Sequence, residues 1–349
     1  MRIATVGHSL INYKQYNLYE TIGEKGLAEC KAICPSSWYD ETGIPLKKTG
    51  FELKPLFPTS KSWMHYWLVN LKREVLEFKP DILYIMQEPF SLFTLWCLKT
   101  FQKYPFKKVV FGWENKEPKT TNYDLSVWKQ SLDLADLVVC GSKDTERWAN
   151  QLTATKTMVC PQSGIDTELF KPIDMDMVVP MDMEKIEYDL VYVGRFAEEK
   201  GVKMIEQVAK ELNLKVLWVG GRGKIVPEYG DKLGWVNYID LPMQYNKAKL
   251  FVSFTYDFQG YAEQFNYCPG EAMACGIPAI ISDNGSQKQA YENSPITVVK
   301  EKDTAALKET IQRLLKADHK PELLRNWVVE NLSNEAVGKR LVKAFEELK

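Results

Sequence analysis

Short runs of apolar residues, separated by longer stretches of helical period, set the plan of this chain. Five of them fall in its first half: RIATVG (2–7), DILYIM (81–86), KVVFGW (108–113), DLVVCG (136–141) and KTMVCP (156–161). Runs of this length without polar alternation predict strands buried on both faces, hence a parallel sheet covered by helices. After DTELFKP and a Met-, Asp- and Pro-rich stretch at 174–183, the pattern restarts with YDLVYVG (188–194), LKVLWVGG (214–221), KLFVSF (249–254), PAIIS (278–282) and ITVV (296–299). Two doubly wound α/β domains are expected, over 1–170 and 171–333, with 334–349 left as a final segment.

The length of 349 residues agrees, being too great for one ordinary core. Charge narrows the partners more than the fold. Lys and Arg total 45 against 46 for Asp and Glu, so no overall field draws the protein to nucleic acid, and any phosphate site must be local. Seven cysteines (Cys30, Cys34, Cys97, Cys140, Cys160, Cys268, Cys275) sit mostly in apolar contexts without C-x-x-C spacing, the pattern of buried thiols in a reducing cytosol. The chain starts at once as a strand, and no apolar run approaches the roughly 18 residues of a spanning helix, so a cytoplasmic protein is expected. His8, His65 and His319 are scattered, which leads us to expect a metal-independent protein without a cofactor.

In open α/β sheets, ligands bind beyond the carboxyl ends of the strands, where helix N-termini favour anions. A metabolite carrying a diphosphate suits such an edge. The dinucleotide fingerprint is missing, because VGHSLIN has one glycine and GGRGK (220–224) is not G-x-G-x-x-G. VGRFAEEKG (193–201) closes a strand and opens a helix with the stripe Val202, Ile205, Val208 and Leu212, which puts Arg195 and Lys200 in the turn. Taken alone they could be two solvated cations. They could equally clamp a diphosphate and neutralise the charge that grows on it as it leaves.

EQFNYCPGEAMACGIPAI (263–280) adds two carboxylates, Glu263 and Glu271, eight positions apart. Pro269 and Gly270 shape the entry to a helix expected to begin near Glu271 and to stop at Gly276. Glu271 could be a cap stabilised by the helix dipole, but with Glu263 in the preceding loop the pair could hold hydroxyls at two points of a polyol ligand.

These motifs, in this order, resemble the family 4 retaining glycosyltransferases of GT-B fold. The likeness rests on the two glutamates with EAMACG-x-P, on VGRFAEEKG against G-R-x4-K-G, and on PQSGIDTELFKP (161–172), and it extends over most of the chain. It implies two Rossmann-like domains facing a cleft, with NEAVGKRLVKAFEEL as a last helix returning to the first domain. Arg195 and Lys200 would hold the nucleotide diphosphate, Glu271 the ribose and Glu263 the donor hexose, and Arg195, Lys200 and Glu263 would carry catalysis. Gly7, Gly194, Gly221, Arg222, Tyr238, Phe265, Asn266 and Tyr267 would complete the donor site. The implied reaction takes a hexose from a UDP- or GDP-sugar to a glycan or lipid-linked acceptor with retention. The acceptor hydroxyl would attack the face that the nucleotide leaves.

The chain departs from that pattern in several places. Gly7-His8-Ser9 stands where the family often has a Gly-Gly pair, and Trp113-Glu114-Asn115 where many relatives have a histidine. Gln264 replaces a glycine, and Asn284-Gly285-Ser286 replaces a Gly-Gly loop. His8, Glu88, Glu114 and Asn115 are the acceptor-side candidates, Glu88 because it follows DILYIM at a strand edge expected to face the cleft. KSWMHYWLVNLKREVLEF (61–78) reads as one apolar stripe through Trp63, Trp67, Leu71, Val75 and Phe78, for core packing or for peripheral contact with the inner membrane face. A nucleotide-sugar epimerase and a non-catalytic sugar-nucleotide binder are the alternatives on the same fold.

Overall fold

The computed structural model describes residues 1–39, 41–116, 122–173 and 187–349. The Met-, Asp- and Pro-rich stretch at 174–183 lies outside the described residues. The chain divides into two compact units, Met1–Gly164 with Asn334–Lys349, and Ile165–Ser333. The boundary thus falls before Ile165 rather than at 170. Ile165 donates its N–H to the Leu332 carbonyl at 2.7 Å, and the fully buried Phe170 packs 6.0 Å from the Tyr245 ring, both inside the second unit.

The first unit is built on β1 (Arg2–Val6), β2 (Glu29–Pro35), β5 (Leu46–Lys48), β6 (Phe51–Leu56), β7 (Ile82–Ile85), β8 (Lys107–Gly112), β9 (Leu137–Cys140) and β10 (Thr157–Val159), with a small ribbon of β3 (Ser37–Trp38) and β4 (Glu41–Thr42) beside it. The main sheet runs β10-β9-β8-β7-β1-β2-β6-β5 and is parallel except for the edge pair β5 and β6. Five of these strands are the five apolar runs of the first half. The pattern missed β2 and β6 because charge interrupts them: Lys31 lies buried in β2, where Nζ donates to Glu74 Oε2 at 2.8 Å. Pairing with a carboxylate on a covering helix is what lets an ammonium sit there.

The expected stripe over 61–78 is helical only at Leu71–Phe78. Asn70 takes a left-handed φ of 67° and stops the helix from extending backwards, and Trp67 instead packs 4.5 Å from Trp96. The last helix, Asn334–Glu346, buries Val337, Leu341, Val342 and Phe345 in the first unit's core, and Asn334 hydrogen-bonds Asn17 on the helix Tyr13–Glu24.

The second unit holds β11 (Tyr188–Arg195), β12 (Val216–Gly221), β13 (Asp231–Gly234), β14 (Ala248–Ser253), β15 (Ala279–Ser282) and β16 (Thr297–Val299), all parallel, in the order β13-β12-β11-β14-β15-β16. Alternate residues feed two cores. Val191, Leu217, Val219 and Phe251 pack on one face, and Leu190, Tyr192, Trp218 and Leu250 on the other. Both sheets reverse their winding beside the first strand of their unit, between β1 and β7 and between β11 and β14, where doubly wound sheets open a crevice for ligands.

Candidate functional site

β11 ends at Arg195, a 3-10 turn follows at Glu198–Lys200, and the helix Val202–Glu211 begins after Gly201. Lys200 therefore stands just past the carboxyl end of β11. The loop after β14 brings Glu263 to it: Lys200 Nζ donates to Glu263 Oε2 at 2.5 Å and to the Tyr261 hydroxyl at 2.7 Å. The glutamate is 7% exposed and is held by its backbone, Glu263 N–H donating to Asn284 Oδ1 at 2.9 Å and Ser286 N–H to the Glu263 carbonyl at 2.8 Å. Burial works against the charge on Lys200, yet the Glu263 carboxylate and Tyr261 keep its pKa above the ordinary lysine value. Burial, with the Glu263 charge beside it, pushes Tyr261 up to about 12. The result is an ammonium that stays charged in a largely dry place, available to any anion that displaces its carboxylate.

The same edge is built for close approach of backbone. A Cβ on Gly220 would lie 1.9 Å from the Gly194 carbonyl, and Gly220 has φ 133°, so only glycine lets the ends of β11 and β12 come this near. Gly221 beside it has open space where a Cβ would be.

The other expected donor residues are distributed around this centre. Arg195 is half exposed and ion-paired with Glu199 at 2.9 Å, while its carbonyl accepts from the Tyr192 hydroxyl at 2.7 Å. Glu271 lies in the first turn of a helix that begins earlier than expected, Cys268–Ala274, with proline at its start; it is 1% exposed, and Oε2 accepts from the buried Tyr245 hydroxyl at 2.9 Å. Arg222 stacks its guanidinium 4.3 Å over the exposed Trp235 ring. Tyr238 packs 5.1 Å from Phe170, and Phe265 and Tyr267 stand 4.5 Å apart. Asn266 donates from Nδ2 to Ser253 Oγ at 2.9 Å, and its carbonyl accepts from the Tyr291 hydroxyl at 2.5 Å, which fixes the loop ahead of the helix.

Tyr261, Trp235 and Tyr245 escaped the sequence reading. For Tyr261 a signal existed: in an extended loop, residues two apart share a face, so 261 belongs with 263. No comparable signal marks Tyr245 or Trp235, whose partners come from distant segments.

In the first unit the edge beyond β1 and β7 has another character. His8 Nδ1 donates to Gln87 Oε1 at 2.5 Å, and Gln87 Nε2 in turn donates to the Trp63 carbonyl at 3.0 Å. The imidazole lies 5.0 Å from Trp38 and 6.2 Å from Tyr66, and burial lowers its pKa. Gly7 lets the ends of β1 and β7 pack closely: its N–H donates to the Ile33 carbonyl at 3.2 Å, and a Cβ there would meet the Met86 carbonyl at 2.5 Å. Glu88 does not offer its carboxyl to an open edge as expected. Oε1 accepts the Trp113 N–H at 2.9 Å, and Oε2 is buried. Glu114 Oε1 accepts the Lys116 N–H at 3.3 Å, and Asn115 is 7% exposed. Among the described residues no group of three or more His, Cys, Asp or Glu is placed to hold a metal ion, and no helix is long and apolar enough to cross a membrane.

The architecture is that of the GT-B glycosyltransferases, two parallel-sheet units over the full chain. Residues 187–317, most of the second unit, match the family model described as Glycosyl transferases group 1. Among solved structures, sucrose-phosphate synthase from Thermosynechococcus elongatus is 17% identical, with 100% of this chain and 99% of that chain covered and a TM-score of 0.73. A glycosyltransferase from Rickettsia africae ESF-5 is 14% identical over 99% of this chain and 98% of its own, with a TM-score of 0.71. Anabaena Alr3699/HepE in complex with UDP-glucose is 12% identical over 99% of this chain and 100% of its own, with a TM-score of 0.72. At these identities the likeness is one of fold. No curated protein matches the sequence.

Proposed function

We propose that the chain is a retaining hexosyltransferase that moves a hexose from a nucleotide-diphosphate sugar to a glycan or lipid-linked acceptor. The observation that carries this reading is the contact of Lys200 with Glu263 and Tyr261 at the switch point of a unit that matches Glycosyl transferases group 1. A charged, mostly buried ammonium beside glycine-bounded backbone is suited to a diphosphate, and the acceptor-only carboxylate of Glu263 to sugar hydroxyls. On this reading the donor's phosphate takes the place of Glu263 on Lys200, which frees Glu263 for the hexose. Arg195 swings from Glu199 to the same phosphates, and Glu271 receives the ribose hydroxyls. The acceptor hydroxyl attacks the anomeric carbon on the face from which the nucleotide departs; its proton passes to the leaving diphosphate, whose charge Lys200 and Arg195 neutralise without a metal ion. A lipid-linked acceptor would place the protein at the inner face of a membrane.

UDP-glucose is the first donor to test, because the Anabaena relative of the same fold binds it. A ligand held only by the folded state raises the melting temperature, by the equivalent of about 2.7 kcal/mol at a hundred times its Kd. The expected result is a shift with one nucleotide-sugar series, together with nucleotide release that requires an acceptor. A shift without turnover would favour a non-catalytic binder, and release that needs no acceptor would favour an epimerase. Absence of any shift across UDP- and GDP-hexoses would sink the transferase reading.

A further inference from the structure

Glu88 is a partly buried residue just past the carboxyl end of β7, with one carboxyl oxygen closed off from water, that the donor chemistry does not use. Its surroundings are unusually specific. Thr94 Oγ1 donates to the Glu88 carbonyl at 2.9 Å and so pins its backbone. Oε1 accepts the Trp113 N–H at 2.9 Å, while Oε2 is closed off from water and has no hydrogen-bond partner. Gly112 and Pro89 close that side, since a Cβ on Gly112 would lie 3.2 Å from Pro89 Cδ and 3.5 Å from Glu88 Oε2.

The turn on the other side of this contact is equally anchored. Trp113 Nε1 donates to Gln162 Oε1 at 3.1 Å, the Trp113 carbonyl accepts from Thr145 Oγ1 at 3.0 Å, and the indole lies where a Cβ on Gly141 would be, 2.0 Å from its ring carbon. Trp113 is thus held from β9 and beyond by Gly141, Thr145 and Gln162, from the strand before it by the Phe111 ring at 5.2 Å, and from the end of β7 by Glu88.

A carboxylate with one oxygen buried and undonated carries a large desolvation cost; a carboxylic acid in the same place does not. Among the described residues, the titratable groups that face Glu88 are the Glu114 carboxylate, from the turn after β8, and the Cys140 thiol, at the end of β9, neither of which brings a positive charge. We propose that Glu88 is a positioning residue held as a neutral carboxylic acid, which ties the end of β7 to the turn Trp113–Asn115, and that its ionisation loosens this turn. Burial is the main cause that raises its pKa, to about 8; the backbone N–H groups of Trp113 and Glu114 oppose the shift, and the Glu114 carboxylate adds to it.

The inference does not depend on the transferase reading, and its test needs no substrate. A carboxyl whose folded pKa lies above the ordinary value contributes stability that is complete below the unfolded pKa, 4.5, and is lost as pH rises toward 8. Melting temperatures of the full chain and of Glu88→Gln, which keeps an acceptor for Trp113 and cannot ionise, are compared from about pH 5 to about pH 8.5. The difference between wild type and variant should fall by at least about 4 °C across that window. Peptides spanning 112–116 should exchange amide hydrogen faster in wild type than in Glu88→Gln at the alkaline end, and equally at the acid end. Parallel melting curves, or equal exchange at both ends, would overturn the proposal. If the glutamine variant does not fold, the infrared spectrum of wild type decides: a protonated-carboxyl band at neutral pH that vanishes above about pH 8 supports it, and no such band overturns it.

Discussion

Beyond β1 and β7 lie Gly7, His8, Gln87 and Glu88; beyond β11 and β14 lie Arg195, Lys200, Tyr261 and Glu263. The two places are equivalent in topology, each the point where a parallel sheet reverses its winding. Their chemistry is opposed. The second unit sets an ammonium 2.5 Å from a carboxylate, and that neighbour keeps the ammonium charged despite its burial. In the first, burial lowers the pKa of His8 and raises that of Glu88, so each is driven to its neutral form among Trp38, Tyr66 and Trp113. A switch point therefore supplies a location, and the side chains delivered to it decide whether the location suits an anion or a neutral, hydrogen-bonding ligand.

Several substitutions would break or sharpen that contrast. Lys200→Met should have the largest effect, a fall in turnover of about 10²- to 10³-fold, because on the proposed reaction it removes a cation from the leaving diphosphate; an unchanged kcat would remove the second switch point from the chemistry. Gly220→Ala should destabilise the second unit by about 3 kcal/mol, as a Cβ 1.9 Å from a carbonyl forces β11 and β12 apart. Calorimetry should show that loss in one transition only, if the units melt separately. Tyr261→Phe keeps the ring under Lys200 and loses one hydrogen bond to a charged group, so on the proposed reaction transfer should slow roughly tenfold and the melting temperature should fall by a few degrees. Arg195→Ala breaks an exposed pair four residues apart and should alter stability by less than about 0.5 kcal/mol while weakening nucleotide binding.

The smallest effect expected is at His8. A histidine whose folded pKa is depressed contributes stability that is complete above the unfolded pKa of 6.5 and is lost as pH falls through the folded value. Wild type should therefore lose stability on acidification relative to His8→Gln. The sense is opposite to that at Glu88, and nothing similar is expected from Lys200 in the range between them, because its pKa is raised above the ordinary lysine value.

Much of the second unit was readable in advance. Five of its six strands hold the apolar runs read from the sequence, the exposed edge strand β13, DKLG, being the one missed, and Arg195, Lys200, Glu263 and Glu271 stand in two continuous segments. The first unit was harder, since charge interrupts β2 and β6, with Lys31 buried only because Glu74 pairs with it, and the stripe through Trp63 and Trp67 is broken by the left-handed Asn70. Glu88 was picked out by its place after a strand, but its orientation was not. A strand's end says that the next residues leave the sheet; it does not say whether their side chains turn to solvent or back beneath a neighbouring turn.

Periodicity alone determined that this chain would form two parallel sheets with helices between their strands, because an apolar run of four to six residues has nowhere stable to go except between two covering layers. It also determined which residues would be set down beyond the strand ends. The tertiary structure decided who meets whom there. Lys200 and Glu263 are 63 positions apart, His8 and Gln87 are 79 apart, and Glu88 and Trp113 are 25 apart. The energy of each contact depends on burial and on the partner's charge, and those exist only once strand order has carried distant segments to the same edge.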